Sequence, residues 1–423
     1  MMRFILALSD AAATAPERVG PKAANLAALA HAGLPTPGGF CITAAAYWRQ
    51  IEHLGLIAAI RAYPAADMPT QRRLAVEIRL KLYQSDLAPD LLAEILAAWW
   101  DQPKPAAVRS SSLVEDRAEA NFAGQFESFL GVTDDGEFLT ALRACWAALW
   151  TTNARRSMAQ HGLDPAGTAM AVLVQPLVAA RVSGGGLSET ADGHMLLSAT
   201  WGLGSAIAQG EVVPDRIVLT RQGFVRDNEA GRKHHREACV HGVGTLPEAV
   251  PDALVRAPCL QAGQATALGR LMRKAEAVLG MPVEIEWALD DAGFKLLQAR
   301  PLRVVEPHVP DEIWLKHPGL NGHPAGIGWG SGRAVVVNCE CELSRVAPGD
   351  ILVTRVAGPA LSHILSRVAG VVAELGGSTS HLASLARERG IPMVLGVNDA
   401  TRRIPDGAQV AVDGVAGVVR WLA

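Results

Sequence analysis

The chain is short of charge, of long apolar runs and of cysteine, and each shortage closes off a class of function. Charged residues fill 19% of its 423 positions and the net charge is only −3. That leaves no electrostatic footprint for nucleic acid or for an anionic membrane surface. The one basic cluster, Arg232-Lys233-His234-His235-Arg236, reads as a solvated loop. No apolar stretch reaches the length needed to span a bilayer, so no membrane partner is expected. The run Phe4 to Leu8 is stopped by Ser9 and Asp10, which suits a first strand rather than a signal peptide. Six scattered cysteines do not make a disulfide framework. Cys339 and Cys341 form a lone C-x-C without a second pair, and ordinary burial fits them better than zinc. A reducing, cytoplasmic setting is expected.

What is present is a hydrophobic content of 49%, the balance of a globular protein, over a length that implies two or three domains. Up to about residue 302, apolar strands, helical stretches and glycine-rich turns alternate. Lys22 to His31 has helical spacing and ends at Gly33, with Pro35 and Pro37 beyond. Leu91–Trp100 and Phe138–Trp150 are further helices, and Ala169–Val178 is a continuous apolar strand. Residues 306–326, rich in proline, histidine and glycine, read as a linker. Beyond them come a strand at Ile351–Thr354, a helix at Ala360–Val368 and a strand at Val371–Ala373. A helix at Thr379–Arg389, a strand at Met393–Leu395 and a strand pair over Val410–Trp421 complete the chain. The expected fold class is α/β: an α+β domain over 1–305, with lobes of roughly 1–190 and 191–305, then a small α/β domain over 327–423.

The segment Gly376-Gly377-Ser378-Thr379-Ser380-His381 carries the most chemistry. Two glycines permit a tight turn, and Thr379 or Ser380 can cap the helix that follows. His381 then lies in the first turn, at the positive end of the helix dipole. That setting favours a neutral, nucleophilic imidazole and the anion it would hold once phosphorylated. The same features also fit a histidine that merely helps to cap a helix. A second constellation is Glu284-Ile285-Glu286-Trp287 and Leu297-Gln298-Ala299-Arg300, separated by the turn signal Asp290-Asp291-Ala292-Gly293. Folded as a hairpin, it sets Glu286 near Gln298 and Glu284 near Arg300, within one residue of register. Carboxylate and amide oxygens suit Mg²⁺, and an arginine suits phosphate. A charged, solvated hairpin face fits these residues too.

Residues Gly376–Pro392, GGSTSHLASLARERGIP, closely resemble the phosphohistidine signature of the phosphoenolpyruvate synthase and pyruvate phosphate dikinase family. GDILVT (Gly349–Thr354) and DGAQVAVDGVAGVV (Asp406–Val419) resemble the same family's swivelling domain. EIEWALDDAGFKLLQARPL resembles the end of its ATP-grasp domain. The resemblance implies that His381 is the phosphoryl carrier, that Glu286 and Gln298 hold Mg²⁺, and that Arg300 meets a phosphate of ATP. VGPKAANL (Val19–Leu26) resembles the first family motif, which implies that Lys22 reaches the nucleotide phosphates. Val108-Arg109-Ser110-Ser111, with Glu115-Asp116 and Phe122-Ala123-Gly124-Gln125, resembles the second, which implies that Arg109 also contacts phosphate. Trp201-Gly202-Leu203-Gly204, Gln209-Gly210 and Pro214-Asp215 resemble a third, glycine-rich motif, and Gln175 on Val172–Val178 edges the adenine pocket.

Departures from the family pattern are Pro21 in place of glycine, a glycine-rich loop at Ser183–Ser188, and Asn153 where an arginine is common, with Arg155 or Arg156 as substitutes. Leu382 and Ser384 also differ, and are read as packing residues without a chemical role. The resemblance implies an AMP-forming phosphotransferase that loads His381 from ATP. Chain end and short linker leave no visible acceptor domain, so an acceptor-binding partner subunit is expected, as in phenylphosphate synthase. The acceptor would be pyruvate, a phenol or another hydroxyl compound. Rifampin phosphotransferases, by contrast, place an acceptor domain between the two parts. The alternatives are a phosphocarrier or regulatory module with a degenerate nucleotide site, and an ATP-grasp ligase.

Overall fold

The computed structural model describes all residues except 1–2, 115–127, 241–243, 305–313, 315 and 423. The fold is α/β, with 37% helix and 29% strand. Its strands are β1 (Ile5–Ala7), β2 (Phe40–Ile42), β3 (Ala106–Ser112), β4 (Ser128–Val132), β5 (Met170–Pro176), β6 (Val182–Leu187) and β7 (Met195–Trp201). They continue as β8 (Asp215–Leu219), β9 (Val225–Glu229), β10 (His235–Val240), β11 (Gly244–Ala249), β12 (Val283–Asp290) and β13 (Gly293–Pro301). The last are β14 (Gly319–Asn321), β15 (His323–Pro324), β16 (Trp329–Val337), β17 (Ile351–Thr354), β18 (Gly370–Ala373), β19 (Met393–Leu395), β20 (Gln409–Asp413) and β21 (Val418–Trp421). The helices are α1 (Pro16–His31), α2 (Ala44–His53), α3 (Ile57–Ala62), α4 (Met68–Gln84), α5 (Pro89–Trp100) and α6 (Asp135–Ala148). They are followed by α7 (Thr152–Gln160), α8 (Ser205–Ala208), α9 (Asp252–Val255), α10 (Ala262–Leu279), α11 (His381–Arg389) and α12 (Ala400–Arg403).

Contacts divide the chain into two compact units. The first comprises 1–179, 239–246 and 295–300, and the second 180–238, 247–294 and 301–423. In the first, a sheet ordered β1-β2-β5-β3-β4 carries apolar faces between helices. Aromatic side chains are few, and this core gathers several: Trp99 stacks on Phe138 at 4.3 Å, and Trp150 donates to the Tyr47 hydroxyl at 2.9 Å. α1 is broken at Gly20, which has φ of 76°, and a Cβ there would lie 2.4 Å from the Ser111 carbonyl oxygen. Only glycine fits both conditions. Pro21 therefore opens a new helical segment, where its missing N–H costs nothing, so the departure from glycine is accommodated.

The second unit holds two sheets. One is ordered β13-β12-β6-β7-β8-β9, with the middle residues of β13, 295–300, grouped with the first unit. The stretch Ser183–Ser188, expected as a loop, is instead largely strand β6, paired antiparallel to β12 on one side and β7 on the other. Its backbone groups are consumed by two ladders, which glycines permit as readily as larger residues do. The other sheet runs β14-β21-β20-β16-β17-β18-β19-β15, with β16 to β19 parallel. One face packs on α11 through Leu382, Leu385 and Ala386, and the opposite face includes Ala400 and Trp421.

Several expectations differ from the structure. Residues 360–368 form 3₁₀ turns at Pro359–His363 and Leu365–Arg367, because Val368 is already extended as it leads into β18 and leaves no length for an α-helix. Lys233 is fully buried against Asp215, and Arg232 donates to the Glu374 carbonyl at 3.2 Å, so the basic cluster is not a solvated loop. Cys339 and Cys341 are exposed and joined by a disulfide, while Cys41, Cys145, Cys239 and Cys259 are free thiols. From the stretch read as a linker, β14 and β15 add strands to the eight-stranded sheet.

β15 also buries His323, where burial above all, helped by Arg216 and Arg232, pushes its pKa down to about 4. The unfolded chain therefore takes up a proton below pH ~6.5 that the folded chain refuses until about pH 4. Stability should be fully present above that range and fall through it by roughly 3 kcal/mol. His323→Gln should flatten this part of the curve in urea unfolding followed against pH.

Candidate functional site

Three of the motifs meet in the first unit. Lys22, buried on the segment that Pro21 opens, donates from Nζ to the Ser110 carbonyl at 2.9 Å. Arg109 on β3 donates to Gln298 Oε1 at 2.8 Å and to the Leu297 carbonyl at 3.2 Å. Asn25, one turn after Lys22, donates to the Ala299 carbonyl at 3.1 Å. The V-G-P-K helix, the V-R-S-S strand and the L-Q-A-R strand thus form one hydrogen-bonded cluster. Arg300 is buried on the same strand as Gln298. Gln175 is buried on β5, where its amide donates to the Gly38 carbonyl at 3.4 Å. Arg155 on α7 is taken up by the Tyr63 hydroxyl at 3.2 Å. Glu115-Asp116 and Phe122–Gln125 lie outside the described residues.

His381 and Glu286 belong to the second unit. His381 is the first residue of α11, just beyond the C-terminal end of parallel strand β18, where open α/β sheets place their ligands. Ser380 caps this helix, its Oγ accepting from the Ala383 N–H at 3.2 Å. On β12, Glu286 pairs directly with Gly185 of β6, so the two residues face the same side of the sheet. A Cβ on Gly185 would lie 2.5 Å from Thr379 Cβ. The Thr379-Ser380-His381 segment therefore sits on the face that carries Glu286. Thr379 Oγ1 is buried there without a hydrogen-bond partner. Gly184 and Gly186 point the other way, towards Trp287 and Met272.

Sequence reasoning missed how α11 is seated. Glu284, expected beside Arg300, is buried with its carboxylate 3.0 Å from Arg387 Nη2 and accepting from Ser384 Oγ at 2.8 Å. Ser384 was read as a packing difference, and it is a hydrogen-bond donor across 100 residues of sequence. The available signal was a polar residue one helical turn beyond His381, at the spacing that shares a face with it.

Residues 16–313 match the family described as the AMP/ATP-binding domain of pyruvate phosphate dikinase. The chain belongs to that family. Residues 346–417 match the mobile domain of PEP-utilising enzymes, the part of the dikinase family that contains His381 here. The chain is 31% identical to a probable phosphoenolpyruvate synthase of Pyrococcus abyssi, over 95% of this chain and 56% of that protein. It is 32% identical to the phosphoenolpyruvate synthase of Aeropyrum pernix, over 99% of this chain and 58% of that protein. For the phosphoenolpyruvate synthase of Pyrococcus furiosus the figures are 30%, 99% and 58%. The chain thus spans a little over half the length of these relatives. Among the described residues, no helix is long and apolar enough to cross a membrane, and no group of three or more His, Cys, Asp or Glu is arranged as a metal site.

The dikinase-family cluster in the first unit gives a direct structural test. Arg109→Ala removes a charge-assisted donor from Gln298 and from the Leu297 carbonyl. It should lower stability by about 1–3 kcal/mol in urea unfolding.

Proposed function

We propose that the chain is an ATP-dependent phosphotransferase component that loads His381 from ATP, releases AMP and phosphate, and passes the phosphoryl group to an acceptor held by a partner subunit. The observation that carries this reading is the seating of Thr379-Ser380-His381 on the sheet face of Glu286, with the buried Thr379 hydroxyl left unpaired. A buried polar atom without a partner is costly, and a phosphate oxygen or a metal-bound water would satisfy it. In this reading Lys22, Arg109 and Arg300 hold the phosphates and Gln175 edges the adenine. Glu286 and Gln298 offer the hard oxygen donors that Mg²⁺ takes, and the bound ion would neutralise phosphate charge.

His381, in its neutral form, forms a bond from a ring nitrogen to the β-phosphorus. The bridge between the α- and β-phosphates breaks, and its electron pair leaves with AMP. Transfer of the γ-phosphoryl to water or phosphate then leaves phosphohistidine. Orientation of the ring supplies much of the acceleration. The acceptor, in this reading pyruvate, a phenol or another hydroxyl compound, needs a pocket of its own. Residues 314–345 separate the two matched stretches, and much of that length is spent on β14, β15 and β16. In this reading a partner subunit supplies that pocket. In this reading the activity is cytoplasmic, without a nucleic-acid or membrane partner.

Incubation with ATP labelled at the β position should yield acid-labile, base-stable label on the protein together with AMP. His381→Ala should carry none. Label on Ser380, or ADP as the product, would sink the reading, the latter in favour of ligase chemistry. Glu286→Ala should cut AMP release by about 100-fold or more while urea unfolding stays near wild type, since one polar site is not a core. Normal labelling by that variant would remove Glu286 from the metal site.

A further inference from the structure

Glu284 lies on β12 two residues before Glu286, on the same face of the sheet, with its side chain only 7% exposed. Both of its oxygens are engaged by α11. Oε1 lies 3.0 Å from Arg387 Nη2, an ion pair without an aligned N–H, and Oε2 accepts from Ser384 Oγ at 2.8 Å. Ser384 lies three residues from both His381 and Arg387, so it shares a side of the helix with each of them. Arg387 donates in turn to the carbonyls of Ala325 and Ser378, which binds the helix to its own loop. Elsewhere a glycine on one side lets the surfaces meet closely. Gly377 abuts Pro214, Gly185 abuts Thr379, and the Gly376 N–H donates to the Val212 carbonyl at 3.0 Å.

We infer that Glu284 is a positioning residue, a latch that fixes the depth and rotation of α11 on β6 and β12 and so aims His381 during loading. The inference rests on the function proposed above for its meaning in catalysis, and on geometry alone for the latch itself. Its chemistry suits a contact that must also open. A buried ion pair gives up hydration on both sides, so its net contribution to holding two surfaces together is small while its demand on geometry is high. On separation Glu284 and Arg387 both regain water. Removing one partner is different, because the other charge is then buried alone whenever the surfaces close.

This asymmetry defines the test on the full chain. Glu284→Gln keeps the size and a partner for Ser384 but strands the Arg387 charge. Loading of His381 from ATP should slow by ~100-fold, while ATP affinity from direct titration stays within about two-fold. The double variant Glu284→Gln, Arg387→Gln leaves no buried charge and should recover at least ~10-fold of that loss. Hydrogen exchange on the peptide holding the Gly376 amide reports closure without any turnover. It should speed up in Glu284→Gln and return towards wild type in the double variant. Lost ATP affinity in Glu284→Gln would assign the residue to the nucleotide site and overturn the latch. So would unchanged Gly376 exchange, or a double variant no better than the single. Should wild type fail to label His381, the proposed function falls, and the exchange measurements still decide the latch.

Discussion

Bare backbone along β6 is the constraint on which the second unit depends. Three successive glycines give the strand two faces with no side chains, and both faces are used at once. On one, the indole of Trp287 lies across Gly184 and donates from Nε1 to the Gly185 carbonyl at 3.0 Å, with Met272 and Leu197 closing on Gly186. On the other, Thr379 closes on Gly185. Strand geometry sends successive side chains to opposite faces, so of the three glycines only the middle one faces the histidine segment. A methyl group there would hold the loop, and with it the start of α11, away from the carboxylates of β12.

The electrostatics follow from that approach. A surface without side chains offers no polar groups other than those in its ladders, so the charges that orient the histidine helix come from the next strand. Glu284 and Glu286 share a face and divide the work in this reading, the first holding α11 and the second facing the reacting groups. The Thr379 hydroxyl beside them is buried without a hydrogen-bond partner.

Local structure was legible wherever it rests on neighbours in sequence. A cap at Thr379 or Ser380, a helix running to Arg389 and β17 to β19 as strands each follow from a few adjacent residues. The V-G-P-K, V-R-S-S and L-Q-A-R motifs could be ordered by resemblance, and their hydrogen bonds now join them. Ser384 could not be read, because its partner lies 100 residues upstream on another element. The glycine run was taken for a loop since composition alone does not reveal that both edges of a strand are paired. Lys233 looked solvated because nothing nearby in sequence announces Asp215 as its buried partner. His323 sat in a stretch rich in turn residues, where a short edge strand leaves almost no periodic trace.

Most of the close approaches around the histidine segment involve glycine, and several of its hydrogen bonds end on main-chain atoms: Val212, Glu374, Ser378 and Ala325 all contribute carbonyls. Main-chain acceptors are the same whatever the side chain, so drift at those four positions leaves their bonds in place. Glycine codons are the opposite case. Every missense change at Gly185 or Gly377 adds at least a Cβ where the neighbour already stands closer than van der Waals contact. Substitutions recovered by random mutagenesis and selection should therefore be nearly absent at these two glycines, a pattern set by backbone geometry rather than by catalytic chemistry.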